Sequence, residues 1–169
     1  MKSVSHLLVL ALALTAGCAT SYSWKPRVPS AMRSVCVPSF QNESSLMEIG
    51  ALATRQVARE FQREGTFKLA SSEDAAIEIQ GIVKSVSIGS VGYNRRTFSR
   101  YTGSELRMMA TVSVVDKREG KVLVDNKTYT SQTTTVVGQD ATTAQRDASG
   151  RLADDLARQV VDDVLNLKW

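Results

Sequence analysis

Two stretches of the chain place an apolar residue at every third or fourth position, which is the spacing of one face of an α-helix. The first predicts a helix of about twenty residues ending at Gly65, a residue type favoured just past a helix end. Ser45 and Glu48 stand three positions apart at its start, and we expect their side chains to form a capping box. The second stretch predicts a helix over residues 140–167. The apolar stripes are Leu46, Ile49, Ala53, Val57 and Phe61 in the first helix and Ala148, Leu152, Leu156, Val160, Val164 and Leu167 in the second.

Between these helices polar and apolar residues alternate, which is the pattern of a half-buried β-strand. The strictest alternation runs over residues 106–114. In the strand predicted over residues 74–91, the apolar positions change parity near Lys84 and Ser85, which indicates a β-bulge or a bend. Three further strands are predicted over residues 35–40, 67–69 and 121–137. The last of them is rich in threonine, so we expect it on a solvent-exposed face or at a sheet edge.

The predicted elements follow the order β-α-β-β-β-β-α. Long hairpins between two helices favour an α+β fold over an alternating α/β fold. We therefore expect a two-layer sandwich in which both helices pack on one face of a four- to five-stranded, mainly antiparallel sheet. The length of 169 residues suits a single domain of this kind.

The N-terminus has the features of a secretory signal peptide. Lys2 is followed by an apolar run over residues 7–14 that is too short to cross a bilayer, and then by small residues ahead of Cys18. The TAGC stretch at residues 15–18 resembles the lipobox of bacterial lipoproteins, which implies cleavage after residue 17 and acylation of Cys18. The alternative is an ordinary signal peptide with an incidental cysteine. We expect a signal peptide at 1–17, a lipidated N-terminus and tether at 18–33, and one domain at 34–169.

The composition excludes many kinds of enzyme. The single histidine, His6, lies in the predicted signal peptide, so the mature chain has no histidine for a catalytic triad, a general base or a metal site. No phosphate-binding glycine loop, CxxC pair or nucleophile elbow occurs. We expect a protein that is not an enzyme and holds no metal or cofactor.

The chain has one cysteine besides Cys18, which is Cys36. We expect Cys36 to be a buried, inert thiol, and the alternative is a Cys18–Cys36 disulfide.

Short motifs occur in a fixed order from residue 35 to the C-terminus. They are VPSFQN at 37–42, EFQREG at 60–65, Phe67, DA at 74–75, IQG at 79–81, VD at 115–116, GKVL at 120–123 and the final Trp169. In this order, behind a lipobox, the chain resembles the LptE family of lipopolysaccharide-assembly lipoproteins, in its branch outside the enteric bacteria. The fold that this resemblance implies, two helices on a four-stranded sheet, agrees with the order of elements above.

The resemblance also implies a function. The chain is expected to sit in the outer membrane, attached through its N-terminal acyl chains on the periplasmic side. There it would help an LptD-like β-barrel to fold, plug that barrel, and help pass lipopolysaccharide to the outer leaflet. Ala19, directly after Cys18, agrees with outer-membrane sorting.

A second class of lipoprotein shares part of this pattern. Regulators of cell-wall synthases and pore-assembly proteins of the LpoB or CsgG type also open with a strand, a Phe-x-Asn turn and a helix. The tether predicted here has about fifteen residues and reaches about 50 Å when fully extended. That length suits a plug held at the membrane better than a regulator that spans the cell wall.

One segment stands out by its chemistry. Residues 92–103 carry three arginines and three aromatic residues between two glycines: Arg95, Arg96, Arg100, Tyr93, Phe98 and Tyr101. A guanidinium can bind a phosphate through two parallel hydrogen bonds, and the rings could lie against acyl chains or a barrel wall. We therefore regard the six as a candidate contact for lipopolysaccharide or the barrel. The alternative is an exposed loop that its arginines keep soluble. An exported lipoprotein is not expected to bind nucleic acid, although such stretches do so elsewhere.

Charged residues also follow the predicted C-terminal helix. Asp147 with Arg151 and Asp154 with Arg158 stand four positions apart, a spacing that favours ion pairs on a solvated helix face.

Overall fold

Six strands and two α-helices make up the structure, a computed structural model that describes residues 28–91, 103–136 and 141–169. A short 3₁₀ turn at Ser30–Met32 precedes them. The elements are β1 (Ser34–Cys36), β2 (Gln41–Asn42), α1 (Ile49–Glu64), β3 (Lys68–Leu69), β4 (Ile77–Val91), β5 (Gly103–Asp116), β6 (Lys121–Val136) and α2 (Ala141–Leu165). In the described part of the chain, no helix combines the length and the apolar character needed to cross a bilayer.

The strands form one mixed sheet in the order β3-β1-β4-β5-β6, with β2 also paired to β4. The long strands β4, β5 and β6 are antiparallel, as predicted. The short pairings of β1 with β3, β1 with β4 and β2 with β4 are parallel. They are parallel because α1 carries the chain back across one face before β3 begins, and such a crossover returns a strand in the same direction. Both helices lie on that face and pack against each other, which confirms the predicted α+β sandwich.

The first predicted strand, 35–40, is interrupted. β1 ends at Cys36, and pairing resumes only at Gln41 in β2. Pro38 lies in the gap and has no N–H to give to a neighbouring strand. The amide of Phe40 leaves the sheet and donates to Oγ1 of Thr54 in α1 at 2.8 Å. This short segment therefore connects the sheet to the helix layer.

The predicted capping box at Ser45 is wrong. Helix α1 begins at Ile49, its N-cap is Glu48, and no side chain caps it. The residues ahead of the helix are held instead by Asn42, whose side-chain amide donates to the carbonyls of Leu46 and Met47 at 2.8 and 3.1 Å. An Asx-type contact to the backbone thus replaces the cap.

The predicted end of this helix is confirmed. Gly65 has a left-handed φ of 83°, and its N–H donates to the Phe61 carbonyl at 3.2 Å.

The β4–β5 pair shows the predicted bulge. Val83 pairs with Ala110, but the next paired residue on β4 is Ser85, so Lys84 is the extra residue. The insertion returns Val86 to the helix side, the same side as Val83. The change of parity in the sequence therefore keeps Val83 and Val86, before and after the bulge, on the same face. The predicted alternation in β5 is confirmed as well, because its inward residues are all buried: Leu106, Met108, Ala110, Val112 and Val114.

Strand β6 is an edge strand, as its threonine content predicts, and α2 covers part of that edge. Arg151 donates to the carbonyl of Thr134 at 3.5 Å and to the hydroxyl of Thr133 at 3.0 Å. Gln159 donates to the carbonyl of Thr130 at 3.3 Å. These bonds occupy backbone acceptors that a foreign strand would otherwise pair with.

Helix α2 buries a wider stripe than predicted. Every predicted stripe residue within the helix is buried, and Ala153, Ala157 and Val161 are buried beside them, because α2 contacts α1 as well as the sheet. Leu167 lies beyond the helix end and is only partly buried. Neither predicted ion pair is among the salt bridges of the described residues. In the pair of Asp147 with Arg151, the arginine bonds to Thr133 of β6 instead.

Candidate functional site

The residues predicted to carry function lie outside the described part of the chain. These are Cys18 and the arginine–aromatic set Tyr93, Arg95, Arg96, Phe98, Arg100 and Tyr101. The structure does show what flanks that set, because Val91 and Gly103 pair directly at one end of the β4–β5 hairpin. The other end of the hairpin is the pairing of Ile77 with Asp116. Fourteen paired positions at about 3.4 Å each separate the two ends by about 45 Å.

The described chain begins at the end of the sheet opposite to the Val91–Gly103 pair. Val28 is buried, and its carbonyl accepts from Nε of Arg33 at 3.2 Å. Arg118, in the turn between β5 and β6, donates to the carbonyl of Ala31 at 3.5 Å. The described N-terminal residues therefore lie at the end of the sheet that carries the 116–121 turn.

Sequence reasoning missed a groove between the start of α1 and the first turns of α2, with a volume of about 650 Å³. Because Asn42 holds the turn ahead of α1, Leu46 and Met47 lie outside the helix. Both residues line one wall of the groove. Met47 is 90% exposed, more than any other large apolar residue of the described chain. Ile49 and Leu52 complete the apolar wall. Two adjacent apolar residues, Leu46 and Met47, ahead of a helix start are the signal that could have indicated it.

The groove also carries positive charge. Arg55 from α1 and Arg146 from α2 line it, with Glu48 as the one acidic side chain. Both arginines are exposed, and neither makes an ion pair or side-chain hydrogen bond with the described residues. Free guanidinium groups beside an apolar wall are suited to an anionic group that carries a hydrocarbon part.

A second polar cluster joins α2 to β6. The hydroxyl of Tyr129 donates to the Asp163 carboxylate at 2.7 Å, and Lys127 forms a salt bridge with the same oxygen. The Lys127 ammonium also lies 5.4 Å from the centre of the Tyr129 ring. Burial, and then the hydrogen bond and charge of Asp163, raise the pKa of Tyr129. Burial alone would raise the pKa of Asp163, but the bonds from Lys127 and Tyr129 outweigh it and lower that pKa. At neutral pH Tyr129 is therefore protonated and Asp163 is charged, which suits a structural contact.

Cys36 is a free, buried thiol, as predicted. Its Sγ lies 3.7 Å from the Glu78 carboxylate, which also forms a salt bridge with Lys117 at 3.3 Å. Burial, and then the Glu78 charge, raise the pKa of this thiol. A thiol held in the protonated form is a poor nucleophile.

Among the described residues, no three His, Cys, Asp or Glu side chains are grouped to hold a metal ion.

The fold has distant relatives among solved structures. A minor lipoprotein from Acinetobacter baumannii is 16% identical over 79% of this chain and 93% of its own, with a TM-score of 0.52. Hypothetical protein CT253 from Chlamydia trachomatis is 13% identical over 82% of this chain and 98% of its own, with a TM-score of 0.56. A putative neuraminyllactose-binding hemagglutinin homologue from Helicobacter pylori is 10% identical over 82% and 86%, with a TM-score of 0.55. At these identities the likeness concerns the fold alone.

A comparison with curated protein sequences finds no match. The family comparison is more informative, because the profile described as "LptE: Lipopolysaccharide-assembly" matches residues 32–164. That range begins at the 3₁₀ turn and extends through β1 to β6 and almost to the end of α2. It therefore covers nearly the whole two-layer fold. The chain belongs to the LptE family of lipopolysaccharide-assembly proteins.

Proposed function

We propose that this protein is an outer-membrane lipoprotein, anchored through acyl chains on Cys18, that helps an LptD-like β-barrel to assemble and plugs it. In that position it takes part in the passage of lipopolysaccharide to the outer leaflet, without catalysing a reaction. The observation that carries the proposal is the LptE family match over nearly the whole folded domain.

The shape of the sheet supports a plug. The described chain begins at the end that carries the 116–121 turn, and the β4–β5 hairpin extends about 45 Å from there, close to the full thickness of a bilayer with its headgroups. A protein anchored at the inner leaflet could therefore reach through a barrel to the level of the outer leaflet. The predicted arginine–aromatic set, Arg95, Arg96, Arg100, Tyr93, Phe98 and Tyr101, follows directly on the far end of this hairpin.

The covered edge of the sheet supports it as well. Because Arg151 and Gln159 occupy the carbonyls of Thr134 and Thr130, this part of the β6 edge is poorly suited to join a barrel by adding a strand. The barrel contact is therefore expected to run through side chains on the faces of the domain, as for a plug inside a closed barrel.

The test is to purify the tagged full chain from outer membranes and identify the proteins that come with it. We expect a large β-barrel of the LptD type to co-purify. Depletion of the chain should leave that barrel misassembled and lower the amount of lipopolysaccharide at the cell surface. Recovery of a cell-wall synthase or a secretion pore in place of the barrel would contradict the proposal and favour the LpoB or CsgG type of function.

A further inference from the structure

We propose that the groove between the start of α1 and the first turns of α2 binds the acyl chain of an anionic membrane lipid, with the lipid headgroup at Arg55 and Arg146. This inference rests on the proposed function, in which the protein works among acylated, phosphorylated lipids. It adds a specific site, far in the sequence from the arginine–aromatic segment.

The apolar wall argues for a hydrocarbon ligand. Met47 leaves 90% of its surface in solvent, although its neighbours Leu46 and Leu52 offer apolar surface in the same groove. Apolar surface inside a groove with a polar rim offers a site where another apolar group can bind. Methionine suits this use because its flexible thioether adapts to ligands of different shape. The groove volume of about 650 Å³ lies within the range of roughly 300–1,000 Å³ that is usual for small-molecule sites.

The charges argue for an anionic head. The groove is lined by two arginines and one acid, Glu48, so its walls carry a net positive charge. The arginines come from different helices, and neither guanidinium is paired within the described chain. A phosphate or carboxylate at the rim would give both groups a charge-assisted partner while its acyl chain lies along Met47 and Leu52.

A peptide fits this groove less well than an acyl chain. An extended peptide must pair its N–H and C=O groups, yet the walls are helix and turn and offer no free strand edge. A docked helix, about 10 Å across, would fill this volume in fewer than two turns, too short to be stable. An acyl chain has no polar groups to satisfy.

The experiment uses photoactivatable lipids on the full chain in phosphatidylcholine nanodiscs. The probes are a diazirine-bearing palmitic acid and its uncharged methyl ester, and the labelled residues are mapped by mass spectrometry after irradiation. We expect labels to concentrate within residues 45–55 and 145–149, with the acid labelling about fivefold more strongly than the ester, as for one exposed charge contact.

Matched variants separate the groove from the rest of the surface. Met47→Glu should remove most of the groove labelling, whereas Met109→Glu, at an exposed methionine on the opposite face of the sheet, should leave it unchanged. Arg55→Ala combined with Arg146→Ala should reduce labelling by the acid to the level of the ester. Arg59→Ala, one turn further along α1 and outside the groove, should not. Met47 and both arginines are exposed, so circular dichroism should show intact folding for each variant.

Uniform labelling over the surface, or equal loss with Met47→Glu and Met109→Glu, would overturn the inference. So would unchanged labelling of Met47→Glu together with loss of the co-purifying barrel, because the groove would then be a protein contact. Barrel co-purification is measured on the same variants. If the barrel is retained and no groove label appears, this inference fails while the proposed function stands; if the groove is labelled and no barrel is found, the proposed function fails while this inference stands.

Discussion

The ring of Phe40 lies against the backbone of Gly81, so that a Cβ on residue 81 would stand 2.3 Å from the Cε2 atom of the ring. Phe40 is buried between the sheet and α1, and its amide is bonded to Thr54. The hydroxyl of Thr54 in turn donates to the carbonyl of Gly50 at 2.9 Å. Two of the motifs by which the chain resembles its family, VPSFQN and IQG, thus meet in one contact. The missing side chain at residue 81 makes room for the aromatic ring that joins the two layers.

Gly81→Ala is therefore expected to destabilise the fold by about 1–3 kcal/mol or more, because the added methyl group overpacks the ring. Chemical denaturation measures the change. Gly89→Ala on the same strand is the matched control, since its nearest neighbour would be the Glu105 carbonyl at 4.0 Å, and it should cost little. Equal stability of the two variants would mean that the ring is not packed on residue 81.

Leu156→Ala should cost roughly 2–5 kcal/mol, because this side chain is fully buried where α2 meets the sheet and α1. Denaturant unfolding again measures it, and Leu156→Met, which nearly conserves volume, should cost less than about 1.5 kcal/mol. A loss below about 0.5 kcal/mol for the alanine variant would show that α2 is not docked as described.

The Tyr129–Asp163 contact predicts a pH dependence of stability. The pKa of Asp163 is lowered in the fold, so its stabilising effect is present above the pKa of an unfolded aspartate, near 4, and is lost as pH falls through the lower folded value. Thermal unfolding across acid pH should show this loss, and Asp163→Asn should weaken the dependence. Asp147→Asn, at an exposed position of the same helix, is the control. An unchanged profile for Asp163→Asn would refute the assignment.

The same contact also makes stability depend on pH in the alkaline range, where its stabilising effect is lost as pH rises. Burial raises the pKa of Tyr129, so its contribution is complete below the pKa of an unfolded tyrosine, near 10, and declines above it. Tyr129→Phe should remove this alkaline decline and should also lower stability at neutral pH, because Asp163 loses a hydrogen-bond donor.

Much of this fold could be predicted from the sequence because each long helix or strand buries one face, and the apolar residues of that face recur at regular spacing. The stripe of α1, the alternation of β5 and the bulge at Lys84 all follow from the need to keep apolar residues on one face. The start of α1 could not be predicted in this way. The side chain of Asn42 bonds to the backbone just ahead of α1, where the predicted capping box would begin the helix. Which of the two forms depends on where β2 places Asn42, and that position is set by the tertiary structure.

The parallel direction of the short strands, the separate strand β2 and the groove were not predicted, for a similar reason. β1, β2 and β3 have two or three residues each, too few to show a period, and their direction is set by the crossover of α1. The groove joins residues about ninety positions apart, such as Arg55 and Arg146, so the local pair Leu46 and Met47 could indicate only one of its walls. Cys18 and the arginine–aromatic segment lie outside the described residues, and their roles stay predictions from the sequence.

Cys18→Ser should leave the protein without acyl chains, because only the thiol accepts the lipid. Each buried CH₂ is worth about 0.8 kcal/mol, so the loss of several chains removes stable membrane residence. Labelling with palmitate and fractionation of membranes measure this. A variant that is still labelled and still sediments with the outer membrane would contradict the lipobox assignment.

Replacement of Arg95, Arg96 and Arg100 by alanine should weaken lipopolysaccharide binding about ten- to a hundredfold, from three exposed contacts of ~0.5–1 kcal/mol each. Lysine at the three positions should restore binding only in part, because an ammonium group cannot form the bidentate hydrogen bonds of a guanidinium. Binding is compared for intact and dephosphorylated lipopolysaccharide. Equal affinity of the unaltered protein for both forms would exclude phosphate recognition.

The stoichiometry of the purified complex tests the central claim most directly. The full chain is extracted from outer membranes in mild detergent, and its complexes are weighed by native mass spectrometry. A plug requires one copy of this chain bound to one copy of an LptD-like barrel, and we predict that 1:1 complex as the main species. The chain recovered alone, or only in assemblies of its own copies, would contradict the account.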